Sequence, residues 1–462
     1  MPDTPEKPSR LIIPGAEPEA PSHIIGAEGE HEPSDTPAGG RPSAIVLPPG
    51  VAREPAEDVP EYPRLRPLVL VPIRDGQREL LLVSDPMGVV AGDPVLSMEA
   101  VPLLQLLDGM TSMSDLTAAL MRESKDIRVA GMIRDFVTQL DEMLLLDSPR
   151  FHRALDQLRD AYHPLEIRPA ALEGRSYPAN VDELRTFLAG HFDEAAKMTP
   201  PPAAAPAMPH ALLAPHLDPR RAGAAIARAM LELPAEPPEP LRIVVFGTGH
   251  SLFGDLFALT RKHFETPLGK VTCDTSFVDR VADRLGELAY SGELAHREEH
   301  SIEFQAVYLK YRFGERPVTI VPILCGGFHS LIDQGLTPRD SDFERLIEAV
   351  REAERESKGT TVYVAGVDFS HVGPRFGDPP TDERVKQETE AKDRAAITAA
   401  LAGDADAWFQ AIASHDDSTR ICGFAPTYAL LRCADVKDGR LLHYAQSDEP
   451  DTSLVSVATI AW

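Results

Sequence analysis

From Ala211 onward, uninterrupted apolar runs alternate with segments whose apolar residues recur at helical spacing, and this alternation constrains the fold more than any other feature of the chain. ALLAPH leads into RRAGAAIARAMLEL, and RIVVFGTGH is followed further on by SIEFQAVYLKYRF. TIVPIL then precedes SDFERLIEAVREAERES, and TVYVAGVDFSH comes next. Strands that are apolar along their whole length are covered on both faces, and strands alternating with helices build a largely parallel sheet. LLHYAQS and SLVSVATIAW, separated by a polar turn, read as an antiparallel edge of that sheet. The expected fold class is α/β.

A chain of 462 residues exceeds what one hydrophobic core organises, so two folded domains joined to disordered segments are expected. Residues 1–60 hold no Phe, Trp or Tyr and recur in Pro, Glu, Gly and Ala, a composition that cannot bury enough apolar surface to offset chain entropy. Two apolar islands in this tail, Leu11–Ile13 and Ala44–Leu47, are read as incidental. Residues 61–160 read as a small α+β domain. LVLVPI and RELLLVSD form a hairpin about Asp75-Gly76, and three helices follow, the first ended by Gly109 and the second capped by Ser112 or Ser114. This combination is winged-helix-like. It resembles the PqqD-like modules that hold peptides in bacterial peptide-modification systems, a resemblance of pattern that implies a peptide as its partner. Residues 161–462 make the α/β domain, entered by a helix capped by Asn180 or Asp182. The domain is interrupted at 198–209 by MTPPPAAAPAMP, whose prolines deny a helix or central strand its backbone donors.

Charge and composition exclude several classes of function. A net charge of −26 disfavours phosphate backbones, and the second helix of the small domain, TSMSDLTAALMRE, offers them a single Arg, so no nucleic-acid partner is expected. No apolar run is long enough for a membrane span, and the first residues lack the features of a signal peptide, which leaves the cytoplasm as the expected location. Cys273, Cys325, Cys422 and Cys433 lie far apart with no CxxC pair and are expected as free thiols.

Open α/β sheets bind ligands just beyond the carboxyl ends of their strands. Polar residues stand at four such positions: His216 after ALLAP, His250 after RIVVFGTG, Asp368 and His371 after TVYVAGV, and Cys422 in the loop TRICGFAP. Each alone reads as a satisfied strand-end residue, but their shared placement points to one crevice. Imidazole and thiolate donors suit iron, copper or zinc and do not suit magnesium or calcium. HREEHSIEFQ adds His300 and Glu303, which share a helical face three residues apart. It also contains His296-x-x-Glu299-His300, the inverted zinc-protease pattern with Glu299 as general base. That pattern needs a helix, whereas the charged segment is expected to precede one.

Together SYPANVDELRTFL, APH at His216, GTGH at His250, EEHSIEFQ, DFSHVGPRFGD, ICGFAP and YAQSDEP resemble, in order, the Memo family, including protein B of the bacterial AmmeMemoRadiSam set. The resemblance implies a fold shared with class III extradiol dioxygenases and a cleft holding iron or copper through His216, His250 and Cys422. Asp368, His371, His300 and Glu303 would line that cleft. One departure is PHLDPRRAG where the family has PHAGY, which places Arg220 and Arg221 near the entrance. Radical-SAM and AMMECR-like proteins are the partners implied. Two functions follow as expectations. One is a metal-dependent oxidoreductase, dioxygenase-like, in which His371 shuttles protons and Asp368 orients it. The other is a non-catalytic adaptor that uses the same cleft to bind a peptide or protein, and a zinc-dependent hydrolase ranks below both.

Overall fold

The computed structural model describes residues 45–46, 60–75, 78–90, 92, 94–124, 129–198 and 208–462. The hairpin residue Gly76, most of the tail and most of the proline-rich segment lie outside the described residues. Two compact units are formed, one within Ala16–His163 and one comprising Pro164–Trp462.

In the first unit, Ile45–Val46, Val95–Ser97, Arg78–Ser84 and Val69–Asp75 form an antiparallel sheet in that order. Ile45–Val46, part of an apolar island read from the sequence as incidental, pairs with Leu96 and Val95. The helices Met113–Ser124, Val129–Glu142 and Pro149–Tyr162 follow the strands. The inner faces of the first two of these helices and that of the sheet enclose Leu68, Leu81, Val83, Leu116, Val137 and Leu140. Ser112 caps the helix at Met113, its Oγ accepting from Asp115 N at 3.1 Å. The segment expected as a full helix before Gly109 is α-helical only over Val101–Leu104, and Gly109 takes a left-handed φ of 79°.

The second unit is built on one large sheet. Its main path runs Thr272–Cys273, Val318–Cys325, Leu241–Thr248, Thr360–Gly366, Ala211–Ala214, Leu454–Ala461, His371–Val372. The first five of these strands are mutually parallel. Alternation along the buried strands assigns the two faces. Ile243 and Val245 join Leu212 in a core closed by the helices Val181–Met198, Pro219–Met230 and His300–Phe313. Val244, Phe246 and Leu213 face the opposite core, closed by Thr275–Leu285, Asp342–Glu356 and Phe424–Ala434. Asn180, not Asp182, caps the first of these helices, accepting from Asp182 N and Glu183 N at 3.0 and 3.1 Å.

The sheet is mixed, a parallel part continued on one side by antiparallel strands. Leu454–Ala461 is antiparallel to Ala211–Ala214 and to His371–Val372, and it is paired along its length with Arg440–Asp448. The short link from Asp448 to Leu454 permits only an antiparallel partner, because a parallel return needs a crossover of a dozen residues or more. Among the described residues, no helix is long and apolar enough to cross a membrane.

Candidate metal centre

Three adjacent parallel strands end level with one another. Ala214 is the register partner of Gly366, and Gly366 of Gly247. Two residues beyond Ala214 stands His216, two beyond Gly366 stands Asp368, and three beyond Gly247 stands His250. The carboxyl ends of these strands therefore deliver three functional side chains to one place. The helix His300–Phe313 lies directly on the same strand ends. A Cβ at Gly247 would stand 2.5 Å from Ser301 Oγ and Ile302 Cγ1, and one at Gly366 would stand 2.5 Å from Ser301 O. Hydrogen bonds fix the contact: Ser301 Oγ donates to Thr248 O at 2.9 Å, and Gln305 Nε2 to Pro215 O at 2.8 Å.

This packing gathers His216, His250 and Cys422 so that one ligand atom from each lies within 4.8 Å of the others. Cys422 Sγ is 3.2 Å from His216 Nε2. The ring of His300 joins them, 5.0 Å from that of His216 and 4.7 Å from that of His250 between centroids. The tautomers follow from the partners of the other nitrogens. His216 Nδ1 is 2.9 Å from Gly366 O, which can only accept, so Nδ1 carries the proton and Nε2 turns its lone pair to the thiol. His250 Nδ1 sits 3.0 and 3.1 Å from the two oxygens of Glu299, which holds the proton there in the same way.

Glu299 is a residue whose role only the tertiary structure reveals. Its carboxylate also accepts from His250 N and Ser301 N, both at 2.9 Å, and lies 3.3 Å from His300 Nδ1. Burial works to raise its pKa, but the charge and hydrogen bond of His250, then His300 and the Ser301 amide, outweigh burial and hold it well below the usual carboxylate range. The zinc-protease pattern is not realised. Glu293–Arg297 is a 3-10 turn, Glu299 is an N-cap, and the α-helix begins at His300. His296 is buried apart from the cluster, its Nε2 3.0 Å from Ala258 O, and burial pushes its pKa down to about 3.

Asp368 and His371 reach the same place from the end of the strand Thr360–Gly366 and the segment that follows it. Asp368 Oδ1 accepts from His216 N and Leu217 N at 3.0 and 3.1 Å, and Oδ2 is 3.7 Å from His216 Nε2. His371 Nδ1 is 2.9 Å from Phe369 O and 3.0 Å from Arg420 O, two acceptors that assign the proton to Nδ1. Ligand atoms of Asp368, His371 and Cys422 also lie within 4.8 Å of one another. Glu303 is placed differently. Although it shares the helix with His300, both its oxygens are engaged by Arg168, by the amides of Ala171 and Leu172 at 3.0 and 2.8 Å, and by Tyr177 OH at 2.5 Å. Arg168 in turn donates to His296 O and Glu299 O at 2.6 and 2.8 Å. Glu303 is therefore an anchor of the segment carrying Glu299 and His300, and its carboxylate is not turned to the cluster.

Cys422 is held by a loop with stored backbone strain. Asp416, Asp417 and Arg420 adopt φ of 55°, 44° and 53°, a region that costs non-glycine residues energy and recurs where function over-determines the backbone. Arg420 pairs with Asp378 at 2.6 Å, Ile421 N donates to Asp417 at 2.8 Å, and Gly423 N to Asp368 O at 3.0 Å. The expected positive entrance is neutralised, since Arg220 pairs with Asp218 at 2.5 Å and Arg221 with Glu449 and Ser447.

Comparison with known proteins identifies the family of this region. The family model described as Memo-like protein matches residues 168–461. A MEMO1 family protein of Aquifex aeolicus is 27% identical over 382 residues, covering 82% of this chain and 94% of its own length. One from Thermus thermophilus is 30% identical over 329 residues, 71% of this chain and 92% of its own. Both alignments are longer than the family region and so extend into the preceding unit. A third, from Methanopyrus kandleri, is 28% identical over 288 residues, 61% of this chain and 93% of its own. The matched region is well over half of the chain and contains His216, His250, Glu299 and Cys422, and the chain belongs to the family of Memo-like proteins.

Proposed function

We propose that the chain is a metal-dependent redox protein whose iron or copper ion is held by His216, His250 and Cys422. The observation that carries this reading is the donor set itself: two imidazoles and a thiol gathered within 4.8 Å. Each imidazole has its Nδ1 proton fixed, by Gly366 O in one and Glu299 in the other. Nitrogen and sulfur donors of this kind favour iron, copper or zinc over magnesium or calcium. The spacing fits: at tetrahedral angles, ordinary metal–nitrogen and metal–sulfur bonds separate the two ligand atoms by roughly 3.6 Å, close to the 3.2 Å between His216 Nε2 and Cys422 Sγ. A carboxylate behind a ligating histidine is the usual means of orienting the ring and raising its basicity, and Glu299 occupies that position for His250.

Iron or copper bound here would supply one-electron and dioxygen chemistry. The chain's own groups would hold and move protons beside it. His371, with its Nδ1 proton committed to backbone carbonyls, offers Nε2 as a base. His300, whose Nδ1 lies against Glu299, presents a second imidazole on the other flank. Asp368 accepts from the His216 and Leu217 amides and so fixes the strand end that carries His216.

Anaerobic metal analysis of the purified protein beside His216→Ala, His250→Ala and Cys422→Ser tests the reading. Near-stoichiometric iron or copper in the wild type, lost in all three variants with the fold intact by circular dichroism, supports it. A wild type that takes up neither metal overturns it.

A further inference from the structure

Cys422 differs from His216 and His250 in coming from a segment between two helices, Ala405–Ala413 and Phe424–Ala434, and not from a strand end. Hydrogen bonds on both sides of it fix its direction. Beyond it, the peptide joining Cys422 to Gly423 is held twice: Thr248 Oγ1 donates to Cys422 O, and Gly423 N donates to Asp368 O, each at 3.0 Å. Ahead of it, the amide of buried Ile421 donates to Asp417 Oδ1 at 2.8 Å. Asp417 Oδ2 meets His329 Nε2 at 3.1 Å, on a partly exposed side chain that opens the helix His329–Asp333. That helix follows the strand Val318–Cys325, so Asp417 ties the loop to the sheet. The Asp417 side chain is 1% exposed and its φ is 44°, and neither a buried carboxylate nor that backbone comes without cost.

We propose that Asp417, steadied by His329, is a positioning residue that sets the Cys422 thiol against His216. The inference rests on the reading of Cys422 as a metal ligand. With the peptide 422–423 fixed by Thr248 and Asp368, the side-chain direction of Cys422 still depends on where Ile421 stands, and the Asp417 carboxylate holds the Ile421 amide. The thiol and His216 Nε2 are thereby kept 3.2 Å apart by the protein's own bonds. A site organised in advance binds its ion more tightly than one that must order a loop. Aspartate suits the position, since its short polar side chain tolerates the left-handed backbone and reaches an amide four residues on. Alanine at 417 would keep neither property, and it would leave the buried Ile421 amide without its acceptor.

Two measurements on the full chain test the proposal: anaerobic cobalt(II) titration followed by the ultraviolet thiolate-to-cobalt absorption, and the rate at which the metal-free protein reacts with a maleimide. Cys422 is the one of the four cysteines that is not buried, so the label reports on it, and Cys422→Ala sets the background. Asp417→Ala is expected to weaken cobalt binding about tenfold, to dim the thiolate absorption and to raise the labelling rate several-fold. His329→Ala spares the Ile421 bond and should move all three the same way by less; it carries the comparison should Asp417→Ala fail to fold. Asp417→Asn keeps an oxygen for the Ile421 amide and should restore wild-type values. A role limited to general stability would cost cobalt affinity equally with and without the thiol, whereas positioning predicts that Asp417→Ala adds nothing in a Cys422→Ala background. An equal loss in both backgrounds overturns the proposal, as does an unchanged labelling rate in Asp417→Ala. A wild type that takes up no cobalt overturns the metal reading by itself, and the labelling rates then decide the role of Asp417.

Discussion

At the scale of single residues, the contrast between Glu299 and Glu303 is instructive, because both stand in one short motif, EEHSIEF, and do different work. Glu299 buttresses His250, so Glu299→Gln is expected to weaken metal affinity roughly 10–100-fold while leaving the fold intact; titration with a chromophoric chelator as competitor measures the change. The same carboxyl is held below its usual range in the metal-free protein, so its contribution to stability is full above the ordinary carboxylate range and lost only as pH falls through the depressed value. His296 gives the clearer pH signature. Folded, its pKa is pushed down to about 3 from an ordinary 6.5, so the unfolded chain binds its proton first and stability drains away as pH falls between those values. His296→Gln keeps a donor for Ala258 O, and its stability-versus-pH curve from urea denaturation should be flatter than wild type across that window, by at most about 1.4 kcal/mol per pH unit. An equal slope would remove His296 from the account. The sequence placed this charged segment ahead of the helix, as found, but the burial of His296 against Ala258 O was not legible there.

At the scale of elements, the strand ends were legible and the helix placement was not. Apolar runs ending in APH, GTGH and GVDFSH located His216, His250, Asp368 and His371 because the carboxyl ends of parallel strands share one edge. That His300 belongs with them depends on how closely the helix His300–Phe313 approaches the sheet, and glycine at 247 and 366 sets that approach. Gly366→Ala would drive a Cβ to 2.5 Å from Ser301 O, a backbone atom that cannot swing aside. The expected result is a loss of about 1 to 3 kcal/mol in unfolding free energy, accompanied by weakened metal binding as the helix lifts from the strand ends. Chemical denaturation and metal titration of one preparation check both; unchanged metal affinity would separate the helix from the site. LLHYAQS and SLVSVATIAW form the antiparallel pair that the polar turn between them implies, but Leu454–Ala461 also pairs with Ala211–Ala214 and His371–Val372 and so lies inside the sheet, because side-chain alternation does not say how many neighbours a strand has.

At the scale of the whole molecule, the two units have separate cores, one built on Leu81, Leu116 and Val137 and the others on Val244, Phe246, Ile243 and Val245. Every proposed ligand lies in Pro164–Trp462. Residues 164–462 expressed alone are therefore expected to unfold cooperatively and to bind as many equivalents of metal as the full chain, which calorimetry and metal analysis can establish; fewer equivalents would tie the first unit to the site. The sequence by itself determined the alternation of strands and helices, the family, and the side chains at the strand ends, because periodicity and strand polarity are local properties of the chain. Tertiary structure alone decided which of those side chains meet, that Glu299 orients while Glu303 anchors, and that Cys422 arrives on a strained loop beside His216. Those outcomes depend on contacts between residues far apart in sequence, such as the 206 positions separating Cys422 from His216, and no local pattern encodes them.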